Sequence, residues 1–328
     1  MKDKGSRAGV IALILFLILH FVPTLAPAQT YPTKPMNILV GFAAGGTMDV
    51  STRVLASKAE KHLGQPFLIS NNGGGGGSVA LGIVAKERPD GYSLAGCTST
   101  GLIRIPQFRT VPYKLEDFVT VMHFGAPQTG VVVKADSPFK TFKDLVEYAK
   151  KNPGKVTYSS TGIGSPMHLA MEYVSKQEGI QWTHVPYPGS TPALTALMGG
   201  HVTAQSGSTE WIPQVKAGTV RLLGTHGEKR MKLFPDVPTF RELGYDFINE
   251  TVFMVAAPKG TPLPIVKRLE GALHSAMDDP DFIQVMDRME IEVTYRNSED
   301  TQKYLEEAYA RLGKMIIELK IPKEPEKK

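Results

Sequence analysis

Four segments of this 328-residue chain place glycine and small hydroxyl residues where a strand-like run gives way to a helix-like one. They are Phe42-Ala43-Ala44-Gly45-Gly46-Thr47, then Asn71-Asn72 with the run Gly73 to Gly77 and Ser78. Further on come Ser160-Thr161-Gly162-Ile163-Gly164-Ser165 and Tyr187-Pro188-Gly189-Ser190-Thr191. Glycine lets the backbone approach a bound group closely. The first turn of a helix adds unpaired N–H groups that together carry about half a positive charge. Such a junction attracts anions. One alone says little, because strand-to-helix turns use Gly and Ser as structural caps. Four of them, two in each half, are what a cleft needs if both walls offer N–H and O–H donors.

The same segments narrow the chemistry. None contains the Lys of a phosphate-binding Gly-x-x-x-x-Gly-Lys-Ser/Thr loop, and none completes Gly-x-Gly-x-x-Gly. The donors suit a carboxylate held by neutral groups and water, not a nucleotide. There is no Gly-x-Ser-x-Gly elbow and no His-Glu-x-x-His, and the eight His lack ligand spacing. Neither metal nor cofactor is expected. Ser165 or Ser190 as a nucleophile would need a positioned base, which the sequence does not show. His168 has two readings, a ligand contact or a residue that satisfies local backbone groups. Asp49, in a first helical turn, reads as a helix-dipole and loop-bracing residue rather than a general base.

The candidate ligand-binding set follows. In the first half it comprises Phe42, Ala44, Gly45, Gly46, Thr47, Asn71 and Gly74, with Thr98 and Thr100 after the strand-like Tyr92 to Cys97. In the second half it comprises Gly164, Ser165, His168, Tyr187, Gly189, Ser190, Ser206 and Ser208.

The elements that must position these residues alternate along the chain. Met36 to Phe42, Phe67 to Ser70, Val131 to Val133, Val156 to Ser160 and Trp182 to Val185 read as strands. Val50, Val54, Leu55 and Leu63 share helical spacing that Gly64 stops, and Ser78 to Lys86 is helical until Pro89-Asp90-Gly91 turns the chain. Thr141 can cap a helix, with Asp144 three residues on. Ser165-Pro166 starts another, and Ser190 to Met198 a third. Helices over Ile265 to Met277, Asp281 to Met289 and Ser298 to Leu319 close the chain. In the last, Tyr304, Ala308, Leu312, Met315 and Leu319 form the apolar stripe. Strand, helix and strand recurring every ~25 residues predict βαβ units and mainly parallel sheets.

Compartment is read from the start. Lys2, Lys4 and Arg7 precede the apolar run Val10 to Leu19, and Ala26-Pro27-Ala28 offers a cleavage site. This is a secretory signal over residues 1–28, its apolar stretch shorter than the ~20 residues of a membrane span; the alternative is an uncleaved anchor. The formal net charge of +5 falls to +3 without the signal's three bases and Asp3. That mild excess suits an anion and does not suggest nucleic acid. Cys97 is the only cysteine, so no internal disulfide forms; it reads as a buried small residue before a nucleophile.

These residues in this order resemble the extracytoplasmic receptors of tripartite tricarboxylate transporters, the Bug/TctC family. The likeness runs from Tyr31-Pro32-Thr33-Lys34-Pro35 almost to the C-terminus. It includes Gly45-Gly46 with Asp49 and Arg53, Asn71 before the Gly run, Pro89-Asp90-Gly91-Tyr92, and Pro112-Tyr113 with Asp117-Phe118. It continues through Pro153-Gly154, Gly164-Ser165 with His168-Leu169, His184-Val185-Pro186-Tyr187, Gly199-Gly200, Pro235 to Thr239 and Ala257 to Pro262.

The resemblance implies an α/β, two-lobed periplasmic-binding-protein-like fold, each lobe a mainly parallel sheet flanked by helices. Lobe I would comprise residues 29–130 plus 252–328 and lobe II residues 131–251, with crossings near Gly130 and Thr251. It further implies a monomeric receptor without catalytic activity that closes on a small organic acid, often through water, and delivers it to two membrane permease subunits. Amino-acid-binding members often place an acid a few residues after the Gly-Gly, whereas Val202 to Thr209 contains none, and Met48 stands where Thr is common. Both departures point away from amino acids and toward a plain mono- or dicarboxylate with an apolar or aromatic body; the expected ligand is a small organic acid, a di- or tricarboxylate or an aromatic acid. A sensor for a signalling system and a hydrolase using Ser165 and His168 are the rival readings.

Overall fold

A computed structural model describes residues 31–187, 189–247 and 251–319; the signal segment, Pro188 and the Lys/Glu-rich tail lie outside the described residues. The chain begins with β1 (Met36–Val40), α1 (Thr47–Leu63), β2 (Phe67–Asn71), α2 (Ser78–Val84) and β3 (Ser93–Thr98). A π-turn over 100–104 leads into α3 (Ile105–Phe108), followed by β4 (Phe118–Pro127). Two residues later β5 (Gly130–Lys134) enters a second sheet. It is followed by α4 (Phe142–Lys151), β6 (Thr157–Ser160), α5 (Pro166–Glu178), β7 (Thr183–Pro186), α6 (Ser190–Met198), β8 (Ala204–Gly207), α7 (Ile212–Lys216) and β9 (Val220–Thr225). The chain returns as β10 (Phe253–Pro258), α8 (Leu263–Met277), α9 (Pro280–Arg288), β11 (Ile291–Glu292) and α10 (Ser298–Glu318).

Two sheets result, ordered β11-β4-β10-β3-β1-β2 and β7-β6-β8-β5-β9. The expectation of mainly parallel sheets needs correction, because both are mixed. β1 runs parallel to β2 and β3, and β6 runs parallel to β7 and β8. However, β10 opposes β3 and β4, and β5 opposes β8 and β9. The reason lies in the connections. β5 arrives from β4 of the first sheet and β10 follows β9 of the second, so neither is joined to its neighbours by the βαβ crossover that makes strands parallel.

Local signals explain some helix ends. α1 stops at Gly64, whose φ of 73° is left-handed and whose N–H returns to the Glu60 carbonyl. At α4 the Thr141 hydroxyl accepts from the Asp144 N–H at 3.2 Å, while the Asp144 carboxylate accepts from the Thr141 N–H at 2.8 Å. That is a reciprocal capping box.

Each sheet has its own core, and two elements reach across. Leu81, Ala95, Met254, Leu305 and Ala308 pack in the first core. Val131, Tyr158, Leu169, Trp182 and Phe240 form the second, together with Phe108 from α3 and with Leu312 and Ile316 from α10. The fully buried face of α10 is therefore Leu305, Ala308, Leu312 and Ile316, one residue round from the predicted stripe at its first and last turns. Tyr304, Met315 and Leu319 pack on its flanks.

Candidate functional site

Because β1, β2 and β3 are parallel, the loops after them leave the first sheet at one edge, and those after β6, β7 and β8 do the same in the second. In such sheets ligands sit beyond the carboxyl ends of the strands. The two edges meet where Gly164 lies on Phe108: a Cβ at Gly164 would stand 2.4 Å from the ring.

In the first lobe a charged brace shapes the loop after β1. Asp49 is 2 % exposed. Its carboxylate accepts from the Gly45 N–H at 2.8 Å, from Arg53 Nε at 2.9 Å and from Asn71 Nδ2 at 2.7 Å. Burial alone would raise its pKa, but these hydrogen bonds hold the carboxyl below the usual range. Asn71 also donates to the Phe42 carbonyl at 3.0 Å, and its oxygen accepts from Arg53 at 2.7 Å. Asn71 thus ties β2 to the loop after β1, and its amide is engaged within the loop itself. Asp49 has the bracing role read from the sequence.

With that brace in place, Ala44, Gly45 and Gly46 stand exposed and Thr47 is partly exposed. Gly45 has a φ of 78°, and Gly46 is the N-cap of α1 with no side-chain hydrogen bond to the first turn. Phe42 packs its ring against Gly77. Gly74, at φ 136°, is exposed. The glycine loop has a clamp that the sequence reading missed: Arg109 donates to the Gly75 carbonyl and to Ser78 Oγ at 3.4 Å. Thr98 is only 5 % exposed and accepts from the Gly101 N–H; Thr100 faces Thr251 with the two hydroxyls 3.4 Å apart.

The second lobe is braced differently, by neutral groups under the surface. Ser165 caps α5, its Oγ accepting from the His168 N–H at 3.2 Å. His168 Nδ1 accepts from the Gly164 N–H at 3.2 Å, so its ring proton sits on Nε2, 4.0 Å from Glu172. The Nδ1 contact satisfies a local backbone N–H, as one of its two readings has it. His184 stacks on it at 4.2 Å and bonds Ser160 Oγ through Nε2 at 2.7 Å. Tyr158 donates to Glu172 at 2.7 Å. Burial lowers His168 to about 3, with His184 adding to the effect, and burial lowers His184 to about 4. Ser160 and His184 make a hydroxyl–imidazole pair, yet Ser160 is 0 % exposed, out of reach of any substrate.

Tyr187, Gly189, Ser190 and Ser208 are partly exposed along this edge. Gly189 is the N-cap of α6, again without a side-chain hydrogen bond. Ser208 Oγ donates to the Gln128 carbonyl at 3.3 Å, joining the edge to the crossing between the sheets. Ser206 is a correction: it is 0 % exposed and its hydroxyl donates to the Met167 carbonyl at 2.9 Å, so it points into the lobe and not to the edge.

Glu210 is the residue that the sequence reading passed over, one position beyond the window found to lack an acid. Its Oε1 accepts from Gln205 Nε2 at 2.8 Å and from the Ser208 N–H at 3.2 Å, and the Ser190 hydroxyl also bonds the carboxyl. None of those partners is charged. Burial lifts the group to about 7, against the opposing pull of these hydrogen bonds. An acid therefore stands just past that window, bonded to Ser190 and Ser208. Among the described residues no group of three His, Cys, Asp or Glu could hold a metal, and no helix is long and apolar enough to cross a membrane.

Known proteins share this architecture. The family described as "Tripartite tricarboxylate transporter family receptor" matches residues 51–321. A Cupriavidus necator protein described as "UPF0065 protein in gbd 5'region" is 38 % identical over 314 residues, covering 95 % of each chain. An R. palustris protein solved with adipate superposes with a TM-score of 0.80 at 29 % identity, over 89 % of this chain and 99 % of its own. MatC from Rhodopseudomonas palustris, solved with bound malate, gives 0.77 at 26 %, over 87 % and 100 %. This chain belongs to the tripartite tricarboxylate transporter receptor family, whose members are solute-binding receptors and not enzymes.

Proposed function

We propose that the chain is a monomeric periplasmic receptor that takes a small organic carboxylate, a di- or tricarboxylate or an aromatic acid, between its lobes. It would hand this ligand to two membrane permease subunits. The observation that carries the reading is a contrast among helix starts. α4, α9 and α10 are capped by their own Thr141, Asp279 and Asn297 side chains. Away from the facing edges α8 starts uncapped, on Pro262; at those edges Ser165 caps α5, but α1 and α6 start on Gly46 and Gly189 with no side-chain cap. Their first-turn N–H groups are available to an external anion. Adipate and malate in the related R. palustris structures fit that chemistry. We assign residues 29–130 and 252–328 to the first lobe and 131–251 to the second. At the crossing, Gly130 leaves no room for a side chain, since a Cβ would stand 2.7 Å from the Gly224 carbonyl.

The ligand set we assign centres on Ala44, Gly45, Gly46, Thr47, Gly189, Ser190 and Ser208, with Asn71, Ser165 and His168 holding those loops in shape. Gly46 (φ −75°) and Gly189 (φ 172°) have backbones that any residue adopts. A Cβ would meet nothing nearer than the Ala43 carbonyl at 3.2 Å and Pro192 at 3.8 Å. Gly46→Val and Gly189→Val should therefore fold with near-normal Tm and lose at least tenfold, about 1.4 kcal/mol, in affinity for adipate or malate by calorimetry. Wild-type affinity in both variants would put the cleft elsewhere.

A further inference from the structure

Glu210 sits among donors that an incoming carboxylate would need. Ser190 begins α6, Ser208 ends β8, and Gln205 Nε2 bridges the Glu210 carboxyl to the Ser190 carbonyl, at 2.8 and 3.1 Å. No counter-charge approaches from the elements packed around it. α6 carries no titratable side chain from Ser190 to Met198, and β8 carries none. On α7 the one charged residue, Lys216, acts on Glu290 together with Lys232. From β7, His184 is bound to Ser160 and neutral above about pH 4. A ligand anion placed here meets a second carboxyl with only neutral groups between them.

We propose that Glu210 is a specificity-determining residue that binds the ligand in its neutral form, donating its carboxyl proton as a hydrogen bond to the ligand carboxylate, so that each acid is captured together with one proton. This rests on the receptor reading above. Two carboxyls hydrogen-bonded at one site, where Glu210, Ser190 and Ser208 are only partly exposed, cannot both ionise cheaply, and one holds a proton. In the free protein burial already brings Glu210 to about 7, and an anion beside it pushes the value higher. The sign follows. A group whose pKa rises on binding takes up a proton, so affinity is greatest below about pH 7 and falls as pH rises above it, by up to tenfold per unit. The same residue favours a plain acid over an amino acid while it stays neutral, because a neutral carboxyl cannot pair with an ammonium. The preference for organic acids thus survives the presence of the acid, for a different reason.

The test is calorimetry of malate and adipate binding at pH 8 in phosphate and in Tris, whose ionisation heats differ, followed by dissociation constants from pH 6 to 9. Wild type should take up close to one proton and weaken with pH. Glu210→Gln, nearly isosteric, should take up none and show a flat pH profile. Buffer-independent heat with a flat wild-type profile would overturn the proposal, as would proton uptake that persists in Glu210→Gln. Tight aspartate or glutamate binding that Glu210→Gln abolishes would overturn it too, and would make the ionised carboxylate the partner of an ammonium. If wild type bound neither acid at any pH, the receptor reading itself would fall.

Discussion

The two edges that face each other do the same work with opposite means. In the first lobe, charged side chains hold two exposed glycine loops: the buried Asp49 with Arg53 and the neutral Asn71 braces the loop after β1, and Arg109 clamps the loop after β2. In the second, buried neutral groups (Ser160, Ser165, His168 and His184) hold the loop from beneath. A charged brace at the surface tolerates motion and water but weakens with salt. A buried neutral brace is rigid, and it fails when one of its members must take a charge.

Glycines with nearly the same backbone separate the two designs most clearly. Gly164 has a φ of 76° and would drive a Cβ into Phe108 at 2.4 Å, whereas Gly45 has a φ of 78° with nothing within 4 Å of its Cβ. Gly164→Ala should destabilise by about 3 kcal/mol, from backbone strain plus overpacking of a ring that is 1 % exposed. Gly45→Ala should cost about 1 kcal/mol from strain alone. Equal costs in denaturant melts would mean that Phe108 yields freely and that the two edges are not locked there.

Acid should reveal the next difference. His168 and His226 are lowered to about 3 and His184 to about 4, burial being the main cause in each. All three stand in the second lobe, against His123 (about 4) in the first. A histidine with a depressed native pKa binds protons more readily when unfolded. Its contribution is therefore full above about 6.5 and is lost as pH falls toward the native value. Amide exchange should show β6 and β7 losing protection before β1 and β2 between pH 6 and 4. Simultaneous loss would remove the asymmetry.

The smallest effect belongs to the surface brace. Arg53 is 45 % exposed at its side chain, one helical turn from Asp49. Arg53→Ala should cost roughly 0.5 kcal/mol, less in 0.5 M salt, because Gly45 and Asn71 still hold the carboxylate. A loss above 2 kcal/mol would show that the guanidinium is structural and not merely a charge at the rim.

What could be read from the sequence follows from how local each signal is. β1, β2, β6 and β7 were legible because each is followed by a glycine-containing turn and a helix. β8, the short polar segment Ala-Gln-Ser-Gly, has no apolar pattern, and β10 is a continuous apolar run that periodicity cannot tell from a buried helix segment, so neither was read as a strand. Asp49 was legible because its brace spans a single helical turn. Arg109 reaches Gly75 across 34 positions, and Glu210 reaches Ser190 across two strand–helix connections. Ser206 and Ser208 are two apart and would share one face of a strand; only the end of β8 at Gly207 separates them, leaving Ser206 bonded inward to Met167 and Ser208 at the edge.

The face of α10 has a mechanical consequence. Leu305 and Ala308 are anchored in one core, Leu312 and Ile316 in the other, and an unbroken helix joins the two pairs of anchors. Ala308 and Leu312 are about 6 Å apart along the axis, so the change of core occupies little more than one turn. The helix acts as a splint laid across the joint. Swinging the lobes apart means bending that turn or drawing Leu312 and Ile316 out of their seat, at about 1.5–3 kcal/mol for each side chain fully exposed. Any parting of the lobes would therefore work against this helix as well as against the two crossings.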